Sequence, residues 1–151
     1  MDKDMNKEKR ILYLISQSIN TLKYYSIARF NEDGITVTPA QMGILFLLRR
    51  GADLSMTELS NLLSLDNSTL TRHSDKLIKS GLVERVKDDS DRRVLKLRIT
   101  KSGIDESNSA GKIANEINSE LISGFSQSEI KIFIKILESI NLKFNIKKEK
   151  K

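Results

Sequence analysis

The stretch Asp66-Asn67-Ser68-Thr69-Leu70-Thr71-Arg72-His73-Ser74-Asp75-Lys76-Leu77-Ile78-Lys79 decides how the rest of the chain is read. Asp66 or Asn67 has the short polar side chain that caps a helix, and Gly81 stands where such a helix ends. Leu70, Leu77 and Ile78 supply a buried side. Spacing residues 100° apart puts Ser68, Arg72, Asp75, Lys76 and Lys79 opposite Leu70, so the helix turns hydroxyl, arginine and lysine outward. His73, the only histidine, falls toward the buried side beside Leu70 and Leu77.

On the N-terminal side, Ser55-Met56-Thr57-Glu58 is a capping box, and Met56, Leu59 and Leu63 follow as one stripe of a short helix ending near Ser64-Leu65. Before it, Thr38-Pro39-Ala40-Gln41 combines a cap, proline at the first helical position and glutamine at the third. The body of that helix, Met42 to Leu48, is apolar almost all round and belongs at the centre of a domain. On the C-terminal side, Val94 to Thr100 alternates Leu95, Leu97 and Ile99 with Lys96 and Arg98, and Leu82 to Lys87 is a plausible antiparallel partner. Asp88-Asp89-Ser90-Asp91-Arg92-Arg93 then becomes a hairpin tip. Two short helices followed by a hairpin make a helix-turn-helix with a wing, whose second helix enters the DNA major groove.

Outside this lobe, residues 8–30 place Ile11, Leu12, Ile15, Ile19 and Leu22 on one helical side until Asn31-Glu32-Asp33-Gly34 breaks the pattern. From Lys101 onward, Ala110, Ile113, Ala114, Ile117 and Leu121 mark a long helix. Ser126-Gln127-Ser128-Glu129 caps another, with Ile130, Phe133, Ile134, Leu137 and Ile140. These stripes exceed what a small winged lobe needs to cover itself.

At 151 residues one domain is expected. With 38% hydrophobic residues, 30% charged and a single proline, the chain reads as globular and mainly α. There is no cysteine, which excludes disulfides, thiolate metal sites and cysteine nucleophiles. His73 alone makes a poor base for a triad or a transition-metal site, and Gly111-Lys112 lacks the rest of a phosphate loop. The expectation is therefore no enzyme activity, no cofactor and no metal. No apolar run approaches the roughly 20 residues of a membrane span, and Met1 to Arg10 lacks a signal-peptide core, so the protein is expected in the cytoplasm. The net charge of +6 is clustered: Arg92, Arg93, Lys96, Arg98 and Lys101 run without an acid, and Lys143, Lys147, Lys148, Lys150 and Lys151 face only Glu149. Such clustering suits a phosphate-bearing partner, although a basic tail is also an ordinary solvated terminus.

Asp66 to Arg72, Asp75-Lys76-Leu77, Gly81 to Arg85, Asp91 to Val94 and Leu97 to Gly103 together resemble the MarR family of bacterial transcriptional regulators, in that family's order and spacing. The resemblance covers nearly the whole chain. It implies a mainly α fold with a small β-hairpin wing, a winged helix-turn-helix lobe at about 38–100 and dimerisation helices at about 8–30 and 101–144, followed by the basic tail 145–151. It further implies a homodimer on a pseudo-palindromic operator of double-stranded DNA, usually acting as a repressor. Recognition-helix contacts would come from Ser68, Thr69, Thr71, Arg72 and Lys76, with Arg72 reading a guanine edge and Ser68 and Thr69 near phosphates. Taken as structure alone, Ser68 and Thr69 serve the helix start and Lys76 and Lys79 are solvated.

In the wing, the residue matched to the family's minor-groove arginine is Arg93, oriented by Asp91, with Arg92 the neighbouring alternative. Asp88, Asp89 and Ser90 favour the turn. Many family members carry proline where this chain has Asp89, which loosens the register at the tip. The resemblance also implies release by a small, often aromatic and acidic, effector. Tyr24, Tyr25, Phe30 and Phe46 lie on the helices that would line its cleft, while aromatics at such spacing are commonly core. The competing function is a winged-helix module that meets an acidic protein partner in place of a specific DNA site.

Overall fold

The chain enters as α1 (Ile11–Glu32), ended by Gly34 at φ 69° and by a bond from the Ile35 N–H to the Phe30 carbonyl at 2.8 Å. In this computed structural model, residues 10–88 and 90–144 are described. Asp89 and the basic stretch 145–151 lie outside them. The described residues fall into two compact units that divide between Ala114 and Asn115.

The first unit is built on α2 (Pro39–Leu48). Its start follows the capping box, since the Thr38 hydroxyl accepts from the Gln41 N–H and the Gln41 side chain accepts from the Thr38 N–H. Ile44, Leu45 and Leu48 are buried and pack with Leu59, Leu70, Leu77, Val83 and Leu97 as the core of the lobe. After β1 (Leu54–Ser55), a second capping box between Ser55 and Glu58 starts α3 (Met56–Leu63). Ser64 then adopts φ 53°, a left-handed conformation that turns the chain toward the next helix. The buried Ser60 hydroxyl donates to the Leu65 carbonyl at 2.7 Å and fixes that turn. Next comes α4 (Asn67–Lys79), and of the two candidate caps Asp66 is the one used.

β2 (Val83–Lys87) and β3 (Leu95–Ile99) form the expected hairpin, with Arg85 opposite Leu97. The sheet has a third strand that the sequence did not announce. β1 pairs antiparallel with β3, Leu54 opposite Leu97, giving the order β1-β3-β2. A two-residue strand has no alternation to read, because its identity comes from the partner it pairs with.

α5 (Lys101–Ile122) begins in the first unit. Thr100 ties its start to the lobe: the hydroxyl donates to the Gly81 carbonyl at 2.7 Å and accepts from the Gly103 N–H at 3.1 Å. A Cβ on Gly103 would lie 2.1 Å from the Leu82 carbonyl oxygen, so only glycine lets helix and strand approach this closely. The second unit holds the remainder of α5 and α6 (Gln127–Lys143), capped by Ser126 and Glu129 as the sequence predicts.

Candidate nucleic-acid interface

The physical logic of α4 is two-sided. Leu70, Ser74 and Leu77 are buried, and this is what orients the opposite side outward. Asn67, Ser68, Thr71, Arg72, Asp75, Lys76 and Lys79 are exposed and line one shallow open depression. Of the predicted contacts, Ser68, Thr71, Arg72 and Lys76 therefore come together. Thr69 is half-buried at the edge of this surface.

Hydrogen bonds at the helix start narrow what these side chains offer. The Asp66 carboxylate accepts the Thr69 N–H at 2.8 Å and the Ser68 hydroxyl. Led by the Ser68 hydroxyl, these donors hold the Asp66 carboxyl well below the usual carboxylate range. The Thr71 hydroxyl donates to the Asn67 carbonyl at 2.7 Å. Ser68 and Thr71 thus turn acceptor lone pairs outward, which suits amino groups on base edges; a phosphate oxygen would have to displace their internal bonds.

Asp75 sits among the basic residues of this side and is answered from the sheet, where Arg85 of β2 donates to it at 2.7 Å. The pair joins helix to wing and keeps the exposed side net positive. His73 is half-buried, and its Nδ1 is buried with no hydrogen-bond partner among the described residues. Desolvation first, then Arg72 and Lys76, push its pKa down, so the imidazole is held neutral.

At the wing, Arg92 and Arg93 are exposed beyond the end of the strands. The Asp91 carboxylate accepts from the Arg93 backbone N–H at 3.0 Å and approaches its Nε at 3.4 Å. The Arg93 side chain remains 94% exposed. The basic run from Arg92 to Lys101 divides into two groups that sequence reasoning took as one. Lys96 is paired with Asp88, and Arg98 makes a two-pronged contact with Asp53 through Nε at 3.0 Å and Nη2 at 2.6 Å. The Asp53–Arg98 pair joins residues far apart in the chain, whereas Asp88 and Lys96 flank one hairpin tip; the alternation of β3, which places Lys96 and Arg98 on one side, is the sequence signal for both.

The aromatics divide likewise. Phe30 is core, whereas Tyr24, Tyr25 and Phe46 are exposed, with the Arg49 guanidinium 5.2 Å from the Phe46 ring centroid. Among the described residues no group of three or more acidic or histidine side chains could hold a metal, and no helix is long and apolar enough to cross a membrane.

An outward polar helix held beside a basic hairpin, on a mainly helical frame with a three-stranded antiparallel sheet, defines a winged helix-turn-helix protein of the DNA-binding regulator class. The sequence pattern of the MarR family matches residues 37–95, which span the lobe from α2 to the start of β3. The chain is 35% identical to an uncharacterised HTH-type transcriptional regulator of Bacillus subtilis, YsmB, over 67% of this chain and 69% of that protein. It is 30% identical to the multiple antibiotic resistance protein MarR of Escherichia coli over 62% of each. Among solved structures, the transcriptional repressor CouR bound to a 23-mer DNA duplex superposes with a TM-score of 0.81 at 21% identity, covering 93% of this chain and 98% of that one. The protein belongs to the MarR family of DNA-binding transcriptional regulators.

Proposed function

We propose that the protein is a homodimeric repressor that binds a pseudo-palindromic operator in the cytoplasm, where its DNA target resides. The observation that carries this is the exposed side of α4, with Arg72 and Lys76 flanking Asp75, next to a wing tip that presents Arg93 almost fully to solvent. Arg72 reads a guanine edge in the major groove, Lys76 neutralises phosphate, Ser68 and Thr71 accept from base amino groups, and Arg93 enters the minor groove. The structural relative CouR, a repressor bound to a 23-mer DNA duplex, supports duplex DNA as the partner. Thr69 serves the helix start, beside the Asp66 cap.

The dimer is supported by apolar surface that the single chain leaves in water. α1 exposes Ile11, Leu12, Leu14 and Ile19; separately, α6 of the second unit exposes Ile132, Phe133, Ile134, Ile136 and Leu137. Surfaces of this kind are covered by a partner in stable assemblies. Two-fold symmetry then sets two recognition helices about 34 Å apart, one DNA turn.

The test is selection of bound sites from a random DNA pool, followed by fluorescence anisotropy on the selected and a scrambled duplex. A two-fold symmetric consensus with strong preference is expected. Equal, weak binding to both duplexes would overturn the reading in favour of an acidic protein partner. Release by a small aromatic acid is the regulatory input we attach to this reading, and a thermal-shift screen followed by displacement of the bound duplex checks it.

A further inference from the structure

The wing tip contains an acid that DNA contact leaves unused. The side chain of Asp88 is only 12% exposed, in a loop where Ser90, Asp91, Arg92 and Arg93 are exposed. Its Oδ1 accepts the N–H of Ser90 at 2.8 Å, the Ser90 hydroxyl and the N–H of Asp91 at 3.0 Å. Its Oδ2 meets Lys96 Nζ. Lys96 lies on the central strand β3, opposite Val86 of β2 and Ser55 of β1, so this ion pair fastens the tip to the middle of the sheet. Backbone bonds from Asp88 N–H to the Val94 carbonyl at 3.0 Å and from Val94 N–H to the Asp91 carbonyl at 2.9 Å close the loop.

A line of fixed contacts results. Lys96 holds Asp88, Asp88 holds the backbone of Asp91, and the Asp91 carboxylate holds the backbone and Nε of Arg93. We propose that Asp88 is the positioning residue of the wing, anchored by Lys96 and setting the loop geometry through which Asp91 aims Arg93. This rests on the reading that Arg93 contacts DNA. It assigns to one carboxylate the rigidity that the loop obtains without a proline.

The sign of the effect separates positioning from charge. Removing an acid beside DNA strengthens attraction to phosphate if charge alone matters. Removing a positioning group weakens binding, because Arg93 then spends less time in its bound orientation.

The experiment measures affinity for the pool-selected duplex by anisotropy in wild type, Asp88→Ala, Asp88→Asn, Arg93→Ala and the double variant Asp88→Ala with Arg93→Ala. Asp88→Ala is expected to weaken binding about 3- to 10-fold. Asp88→Asn, which keeps an oxygen for the two N–H groups but loses the charge on Lys96, falls between it and wild type. In the Arg93→Ala background, Asp88→Ala is expected to change affinity by less than about twofold, since its target is gone. Wild-type or tighter binding by Asp88→Ala, or an equal loss with and without Arg93, overturns the inference while leaving the DNA reading intact. Unchanged binding by Arg93→Ala alone overturns the minor-groove role and takes the inference with it.

Discussion

Arg93 and Arg72 have different work in the proposed complex, and substitution separates them. Arg93→Ala is expected to cost about 1 to 3 kcal/mol of operator binding, lost mainly on duplexes with A·T-rich flanks, whose narrow minor groove concentrates negative potential. Arg72→Ala is expected to cost a similar amount and to relax preference at one guanine position; anisotropy on single-base operator variants reads both. Full affinity in both variants would reject the assigned interface. Gly103 makes a prediction about stability. A methyl group there meets the Leu82 carbonyl oxygen and Ile99 Cγ1, and the backbone oxygen, which lies nearer, does not give way cheaply. Gly103→Ala should lower unfolding free energy by on the order of 1 to 3 kcal/mol in urea denaturation, and an unchanged midpoint would show that the junction is loose.

The helices and strands also respond to acid, through two groups of side chains. Asp66 and Asp88 are both held below the ordinary carboxylate range, by the Ser68 hydroxyl and by Lys96 respectively as the leading causes. Their contribution is present above the unfolded carboxylate value of about 4 and is lost as pH falls below it. His73 acts earlier. Its pKa is depressed in the folded chain, so below about 6.5 the unfolded chain binds more protons and stability declines as pH falls. Chemical denaturation between pH 7.5 and 5 should show this decline in wild type and a flatter profile in His73→Gln; parallel profiles would remove His73 as the cause. The elements themselves were largely legible because their signals are local. All three capping boxes span four residues, and each forms as read. The exposure of Ser68, Arg72, Asp75, Lys76 and Lys79 on α4 follows from helical period alone; Thr69 and Thr71 were implied by the family resemblance, and of these Thr71 is exposed and Thr69 half-buried. β1 was not legible, nor was the pair Asp53–Arg98, because these depend on which strands meet and no local pattern encodes that. The pair Asp88–Lys96 closes within the hairpin that the sequence does announce, but it is set by the conformation of the tip, which strand alternation does not encode.

In the assembled protein, the exposed apolar residues of α1 and α6 are expected to be covered by a second copy. Sedimentation should then give twice the 17.2 kDa chain mass. Phe133→Lys combined with Leu137→Lys should shift the chain toward monomer and reduce operator affinity at least tenfold at nanomolar protein, since half-sites then bind singly. A dimer that survives both charges would move the interface away from this part of α6. The internal ion pairs of the lobe bear on how the molecule finds its site. Arg85, Lys96 and Arg98 each meet an acid within the lobe, whereas Arg72, Lys76 and Lys79 on the helix and Arg92 on the wing face outward, as does Arg93, which meets Asp91 but leaves its side chain almost wholly in solvent. Counterions condensed on DNA are released only by cations that reach phosphate. With about 0.9 ion per phosphate neutralised, these five are expected to contribute about −4 to −5 to the log–log salt slope per lobe, against about −7 if the three paired side chains also took part. Affinity for non-specific DNA is expected to be lower by that difference, leaving the protein less time on random sequence and a faster exchange between sites.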